Sequence, residues 1–409
     1  MKHGNTKLAI PLLVLALTGC GAVSGLETGT QTAVTQTETA AAAEATAETL
    51  TQQSEKTGSA AEELVPGEDA TEASLEDGKD YTITAAGTYR FQGTAVNATI
   101  IVEAGDEDTV EILLDGVMMA NDNFPCIYVK NAGKVLVFSE TDSSSLTVTG
   151  TFRADGTTNT DAVIFSKDDL VLCGEGSIRI ESTANGITSK DDLKIASGTL
   201  LVTSTEDALE ANNSIEVTGG NLSIVSQKDG LHAEYDEDDR EGSILITGGR
   251  LEIEATDDAI HGTTTVRIDG GDLTLTAAEG IEATVIEING GSMEIAASDD
   301  GINASAKSTF ATPSLTVNDG SLKITMGAGD TDALDSNGNL YINGGTLEIM
   351  AQSPYDYDGE GVFTGGTLIV NGVQTDSLSN QFMGGGPGGR PGGRGPAGEG
   401  GSKRGRGGF

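Results

Sequence analysis

Short runs of alternating apolar and polar residues break at a glycine pair and then resume, and the same phrase returns along the second half of the chain. It reads Ile215-x-Val217-x-Gly219-Gly220-x-Leu222-x-Ile224, then Val266-x-Ile268-x-Gly270-Gly271-x-Leu273-x-Leu275, then Leu340-x-Ile342-x-Gly344-Gly345-x-Leu347-x-Ile349. Period-two alternation predicts strands with one buried face, because successive side chains on a strand point to opposite sides. Gly-Gly, or Asp319-Gly320 in the same place, predicts a tight bend that needs a permissive backbone.

Between these phrases lies a second constant element, an acidic residue, Gly or Ala, a branched apolar residue and then usually another polar one. It runs Asp207-Ala208-Leu209-Glu210, Asp229-Gly230-Leu231-His232, Asp258-Ala259-Ile260-His261, Glu279-Gly280-Ile281-Glu282, Asp300-Gly301-Ile302-Asn303 and Asp332-Ala333-Leu334-Asp335. The starts are 22, 29, 21, 21 and 32 residues apart. Each unit is therefore strand, glycine turn, strand, acidic corner and a short third strand. One unit cannot bury its apolar face, whereas stacked units share an interior, which is the logic of a solenoid. The expected fold is all-β, a right-handed single-stranded parallel β-helix of about ten coils, with weaker coils at Asn97 to Leu114 and Ile127 to Val148 and the last near Gly365-Gly366. An antiparallel sandwich would also alternate, but it predicts neither a fixed period nor the same residue types at one phase.

The flanks differ in composition from this repeat. Lys2, His3 and Lys7 precede an apolar run from Leu8 that ends in Leu17-Thr18-Gly19-Cys20, so residues 1–20 read as a signal peptide. The Leu-x-Gly-Cys ending resembles a bacterial lipobox, which implies lipid on Cys20 and a place on the bacterial cell surface. Residues 21–78 are rich in Thr, Ala, Glu and Gln and read as a disordered acidic linker, leaving 79–380 as the repeat domain. Residues 381–409 form a Gly/Pro/Arg-rich basic tail, with Gly389-Arg390-Pro391 and Lys403-Arg404-Gly405-Arg406. Behind an export signal, nucleic acid is not an expected partner, and the membrane is reached through the N-terminal lipid alone. Cys126 and Cys173 fall at different phases of the repeat and are expected as buried free thiols. A monomer is expected.

Stacking makes the acids costly. Like charges about 5 Å apart repel by about 0.8 kcal/mol in water and about 3 kcal/mol at an effective dielectric of about 20. The ladder through Asp207, Asp229, Asp258, Glu279, Asp300 and Asp332 is crowded further by Asp257, Asp299 and Asp330, and by Glu210, Glu282, Asn303 and Asp335 three positions on. Splayed solvated side chains, shared protons or bound cations would each relieve it. Ca²⁺ takes six to eight oxygens of the kinds this corner offers, and the net charge is −40, so several calcium ions are the expected relief. His232 and His261 depart from an oxygen-only corner; without a third histidine nearby they read as surface or hydrogen-bonding groups.

The lipobox, the acidic linker, the Asp-Gly-Ile and Gly-Gly units and the Gly-rich tail together resemble the bacterial cell-surface carbohydrate-binding β-helix family, whose members are similar in shape to calcium-dependent pectate lyases. The resemblance covers roughly residues 78–380. It implies a calcium-binding right-handed β-helix that takes acidic plant sugars, polygalacturonate above all. Carried over by motif, Asp207, Asp229, Asp257, Asp258, Glu279, Asp299, Asp300, Asp332 and Asp335 are the implied ligands.

The residues agree with that substrate class. Trp is absent and aromatics are 4% of the chain, which disfavours a neutral glycan gripped by stacking. Lys228, and Tyr235, Tyr355 and Tyr357 in apparent insertions, are expected to rim the sugar site. A lyase would need a base such as Lys228 or Arg267 beside the metal. Hydrolysis would need paired acids, for which Asn159-Thr160-Asp161 and Asp257-Asp258 are the candidates. A structural adhesin or wall spacer shares every feature except the ligand.

Overall fold

The structure, a computed structural model, describes residues 64–379 apart from 68, 142–143 and 329–330. The expected signal peptide with Cys20, most of the linker, the basic tail and Asp330 lie outside the described residues. What is described is all-β, without helices, and built from two long, almost wholly parallel sheets of 24 and 12 strands. This is the topology a solenoid requires, and it excludes the antiparallel sandwich.

The larger sheet carries the glycine phrase. One run of strands passes through Ser214–Val217, Ser243–Ile246, Thr265–Ile268 and Val285–Ile288, and a second through Asn221–Ser226, Arg250–Glu254, Asp272–Ala277 and Ser292–Ala297. In Asp272–Ala277, Leu273, Leu275 and Ala277 point inward while Asp272, Thr274 and Thr276 stay exposed, as alternation requires. The bend between the two runs has its second glycine at positive φ, as at Gly271 (φ 101°). A side chain there would be strained whatever space surrounds it.

The smaller sheet carries the acidic corner. Its strands stack Ile187, Leu209, Leu231, Ile260, Ile281, Ile302, Leu334 and Tyr355 in register, all buried in one continuous core. One position further on, the outward column reads Thr188, Glu210, His232, His261, Glu282, Asn303, Asp335 and Asp356. Its early end is aromatic: Phe165 and Tyr128 precede Thr188 in the same column, edge to face, and both are fully buried. The following loop returns over them, placing Arg153 on the ring of Phe124 and Asp155 against Tyr128 and Lys130.

Two expectations are corrected here. Ala70–Ser74, read as linker, is a strand paired in parallel with Thr88–Gln92. Only Ala73 of it is buried, so backbone bonding holds it and no apolar pattern announces it. Tyr355 is not a rim residue; it fills the apolar corner position above Leu334 and is 3% exposed. The far end closes with an Asn371-Gly372 hairpin, both residues at positive φ, that lays Val373–Thr375 antiparallel on Thr367–Val370. Cys126 and Cys173 are buried free thiols, each pushed up to about 12 by burial.

Candidate functional site: two acidic columns

Backbone pairing explains why the corner is acidic. The N–H of Ala208 donates to the carbonyl of Asp229, and in return the N–H of Asp229 donates to Oδ1 of Asp207 at 3.0 Å. The same carboxylate acceptance joins Asp258 to Asp229 (2.9 Å) and Asp332 to Asp300 (3.1 Å), and Asn185 Oδ1 serves Asp207 in the same way (3.0 Å). One oxygen of each such corner residue therefore completes the stack. The other oxygen is left for chemistry. Gly301 fits this crowded line because a Cβ there would stand 2.5 Å from the carbonyl oxygen of Ala333.

The two columns meet differently along their length. At Asp207, Oδ2 lies 2.8 Å from Lys228 Nζ and 2.9 Å from His232 Nδ1. Burial works against the charge, yet His232 and Lys228 hold this carboxyl down at about 2. Burial also opposes the His232 cation, but Asp207 and Glu234 raise it to about 10. Lys228 keeps its proton for the same reason, Asp207 outweighing burial. Glu210 accepts from Thr188 Oγ1 and Lys190 Nζ, each at 2.9 Å. Beside this end opens a cleft of about 670 Å³ lined by Asp161, Asn185, Asp207, Glu210, Lys228 and Tyr235 among others.

Beyond His232 the acids outnumber the cations. Burial raises Asp229, whose Oδ2 lies 3.3 Å from His232 Nδ1. Asp258 is raised by burial and by Glu282, while His261 is pressed towards the neutral ring by burial and the His232 cation. Their 2.7 Å contact, His261 Nδ1 to Asp258 Oδ2, carries one proton between them. Glu279 is pushed up to about 8 by burial, Glu282 and Asp258, and Asp335 to about 7 by burial, Asp300 and Asp356. Asp300 rises to about 6, burial first. Asp258, Glu279 and Glu282 bring ligand oxygens within 4.8 Å of one another. Lys307 Nζ lies 2.6 Å from Glu282, a single lysine beside the three carboxyls. Asn303 gives its Nδ2 to Glu279 at 3.1 Å, while its buried Oδ1 has no hydrogen-bond partner. Crowded carboxyls whose charged forms burial and mutual repulsion disfavour, with an orphaned amide oxygen beside them, form an oxygen donor set that fits a hard divalent cation.

Some expected residues are elsewhere. Asp257 and Asp299 are exposed on the approach to the corner, and Asp257 uses its carbonyl to accept from Ala278. Tyr357 packs against the core with its hydroxyl 3.4 Å from the carbonyl of Leu378. Arg267 lies on the other sheet, paired with Asp269 at 2.8 Å. Of the two readings of the histidines, surface or hydrogen-bonding, the second holds: their side chains are 11% and 13% exposed, both rings bond to carboxylates, and the ring centroids lie 4.9 Å apart. Residues the sequence reading passed over include Glu234, Lys307 and Phe310. The loops that carry them touch, Thr309 donating its N–H to Asp239 at 2.9 Å and Arg240 lying 5.5 Å from the ring of Phe310. Acids in the 234–239 insertion were visible, but their partner 70 residues on was not.

Stacked parallel strands with one acidic, outward-facing pair of columns define the class. The chain belongs to the carbohydrate-binding domain-containing protein family, whose model matches residues 77–359. A carbohydrate-binding domain-containing protein of Acetivibrio thermocellus is 30% identical over 148 residues, which are 34% of this chain and 52% of that relative. The chain thus spans about half the length of that curated relative. It is also similar to a solved structure described as the polysaccharide lyase-like protein from C. thermocellum, gadolinium derivative, at 21% identity and a TM-score of 0.47, covering 71% of this chain and 99% of that one.

Proposed function

We propose that this protein holds acidic polysaccharide of the polygalacturonate type at the bacterial cell surface, through calcium bound along the acidic columns of a right-handed parallel β-helix of about ten coils. In this reading Cys20 carries the lipid and the Thr/Ala/Glu segment after it is the tether. The observation that carries it is the cluster of Asp258, Glu279 and Glu282, three carboxylates with ligand atoms within 4.8 Å and one lysine against them. Those three with Asn303 would hold one ion, and Asp300, Asp332 and Asp335 offer oxygens for another. Bound calcium supplies open coordination positions for sugar carboxylates, which reconciles an anionic polymer with an anionic protein. A chain without Trp has little to offer a neutral glycan.

Binding is favoured over lysis by the state of the lysines. Burial would lower Lys228 and Lys307, but Asp207 and Glu282 raise them, so both stay charged where a lyase needs a base that can accept a proton. The test is retention of the full-length protein on polygalacturonate with calcium or with excess EGTA, read alongside absorbance for unsaturated products. Calcium-dependent retention without product growth is the expected result. Retention that ignores EGTA would sink the calcium bridge, and steady product growth would make the protein a lyase.

A further inference from the structure

Two histidines from successive repeats face each other in register, His232 against His261, and both are held by carboxylates through the same ring atom. Nδ1 of His232 meets Asp207 Oδ2 at 2.9 Å, and Nδ1 of His261 meets Asp258 Oδ2 at 2.7 Å. A carboxylate on Nδ1 fixes the tautomer and the ring plane and leaves Nε2 to face a ligand, the arrangement that supports imidazole at metal centres. On the far side of His232, Nε2 lies 3.0 Å from Oε2 of Glu234, whose side chain is 47% exposed. His232, Glu234 and His261 bring their ligand atoms within 4.8 Å of one another.

We propose that His232, Glu234 and His261 form a site for a borderline divalent ion of the zinc type, separate from the oxygen-only sites further along the columns. Two imidazole nitrogens and one carboxylate suit zinc, which takes three protein ligands and keeps a position open to water or a ligand oxygen. They suit calcium poorly, because it is a hard ion that selects oxygen. The ion takes the place of the proton that now joins His232 to Glu234. The insertion of Glu234 to Glu241 lengthens this repeat and delivers the third ligand from the solvent side. The site adjoins the calcium cluster, since Asp258 steadies His261 and Glu282 Oε2 lies 3.3 Å from the same Nδ1, but its three ligands are different, so metal binding in excess calcium separates the two readings.

Chelator-stripped full-length protein titrated with Co²⁺ in millimolar Ca²⁺ tests it. One Co²⁺ per chain should bind with the intense visible absorption of a low-coordinate imidazole site, and equimolar Zn²⁺ should bleach it. Glu234→Gln, at an exposed position, and His261→Gln should each weaken Co²⁺ binding by about tenfold or more. The metal-free melting temperature of Glu234→Gln should match that of the parent, so loss of binding there cannot be loss of fold. Absence of the visible band, displacement of Co²⁺ by Ca²⁺, or unchanged affinity in both variants would overturn the proposal.

Discussion

Oδ1 of Asp207 accepts the backbone N–H of Asp229 at 3.0 Å, so an acidic side chain of one repeat completes the backbone bonding of the next. A carboxylate at this corner has two tasks, one for each oxygen. The structural task needs only an acceptor, and Asn185 performs it for Asp207. The charge is therefore surplus to folding, and folding alone does not account for its recurrence.

This division predicts how Asp229 variants differ. Asp229→Asn keeps an acceptor for the N–H of Asp258, whereas Asp229→Ala leaves that buried N–H unpaired. An unpaired buried donor costs about 1–3 kcal/mol. Urea titration should place Asp229→Asn near the parent and Asp229→Ala lower by that amount. Equal losses in the two variants would mean that the charge, not the acceptor, holds the stack.

The sign of the pH dependence follows from the raised carboxyls. Asp258 and Glu279 keep protons in the folded protein at pH values where the unfolded chain has released them. Folded protein then binds more protons than unfolded, so stability falls as pH rises from the ordinary carboxyl range through about 8, where Glu279 titrates when folded. Metal-free protein in EGTA should melt lower at pH 8.5 than at pH 5.5, by roughly 5 °C or more. Calcium should raise the melting temperature more at the higher pH, because an ion replaces the missing protons. A flat profile in EGTA would show the columns to be solvated.

The glycine turns make a simpler prediction. Gly271 has φ 101°, and a Cβ there would lie 3.2 Å from the carbonyl oxygen of Gly249. Gly271→Ala should cost about 1–2 kcal/mol through the left-handed backbone alone, measured by denaturant midpoint, with metal affinity untouched.

Local periodicity made most of the fold legible. Alternation, the glycine pair and the acidic corner each recur within one repeat, so their phase can be read without knowing what they touch. The same rule would have placed Tyr355: Ser353-Pro354-Tyr355-Asp356 aligns with Asp332-Ala333-Leu334-Asp335, and the tyrosine falls on the inward position. Reading its aromatic ring as a sugar contact overrode the phase. Contacts made across insertions were not legible. His232 and His261 hold the same position of successive corners, so their meeting follows from the repeat although the loop after Ala233 sets them 29 residues apart, whereas nothing local announces that this loop reaches Thr309. Ala70–Ser74 was missed for the opposite reason, since a strand held by backbone bonds with one buried alanine has no pattern to find.

Phe310 supplies the remaining prediction, which rests on the proposed sugar binding. Phe310 is 65% exposed, on a loop joined to the 234–241 insertion by the Asp239 to Thr309 bond. An exposed aromatic ring contributes nothing to the core, and here it has a guanidinium 5.5 Å from its face, Arg240, itself steadied by Asp238 at 2.8 Å. A ring offers a sugar an apolar face and the guanidinium offers its carboxylate a fork of donors. Phe310→Ala should leave the melting temperature unchanged and weaken retention on polygalacturonate in calcium by roughly tenfold, the worth of about 1.4 kcal/mol. Arg240→Gln should weaken retention of the acidic polymer more than that of its methyl-esterified form, since only the former has a carboxylate for it to pair with. If both variants retain the polymer as the parent does, the rim loops are not part of the binding face, and recognition falls to the acidic columns alone.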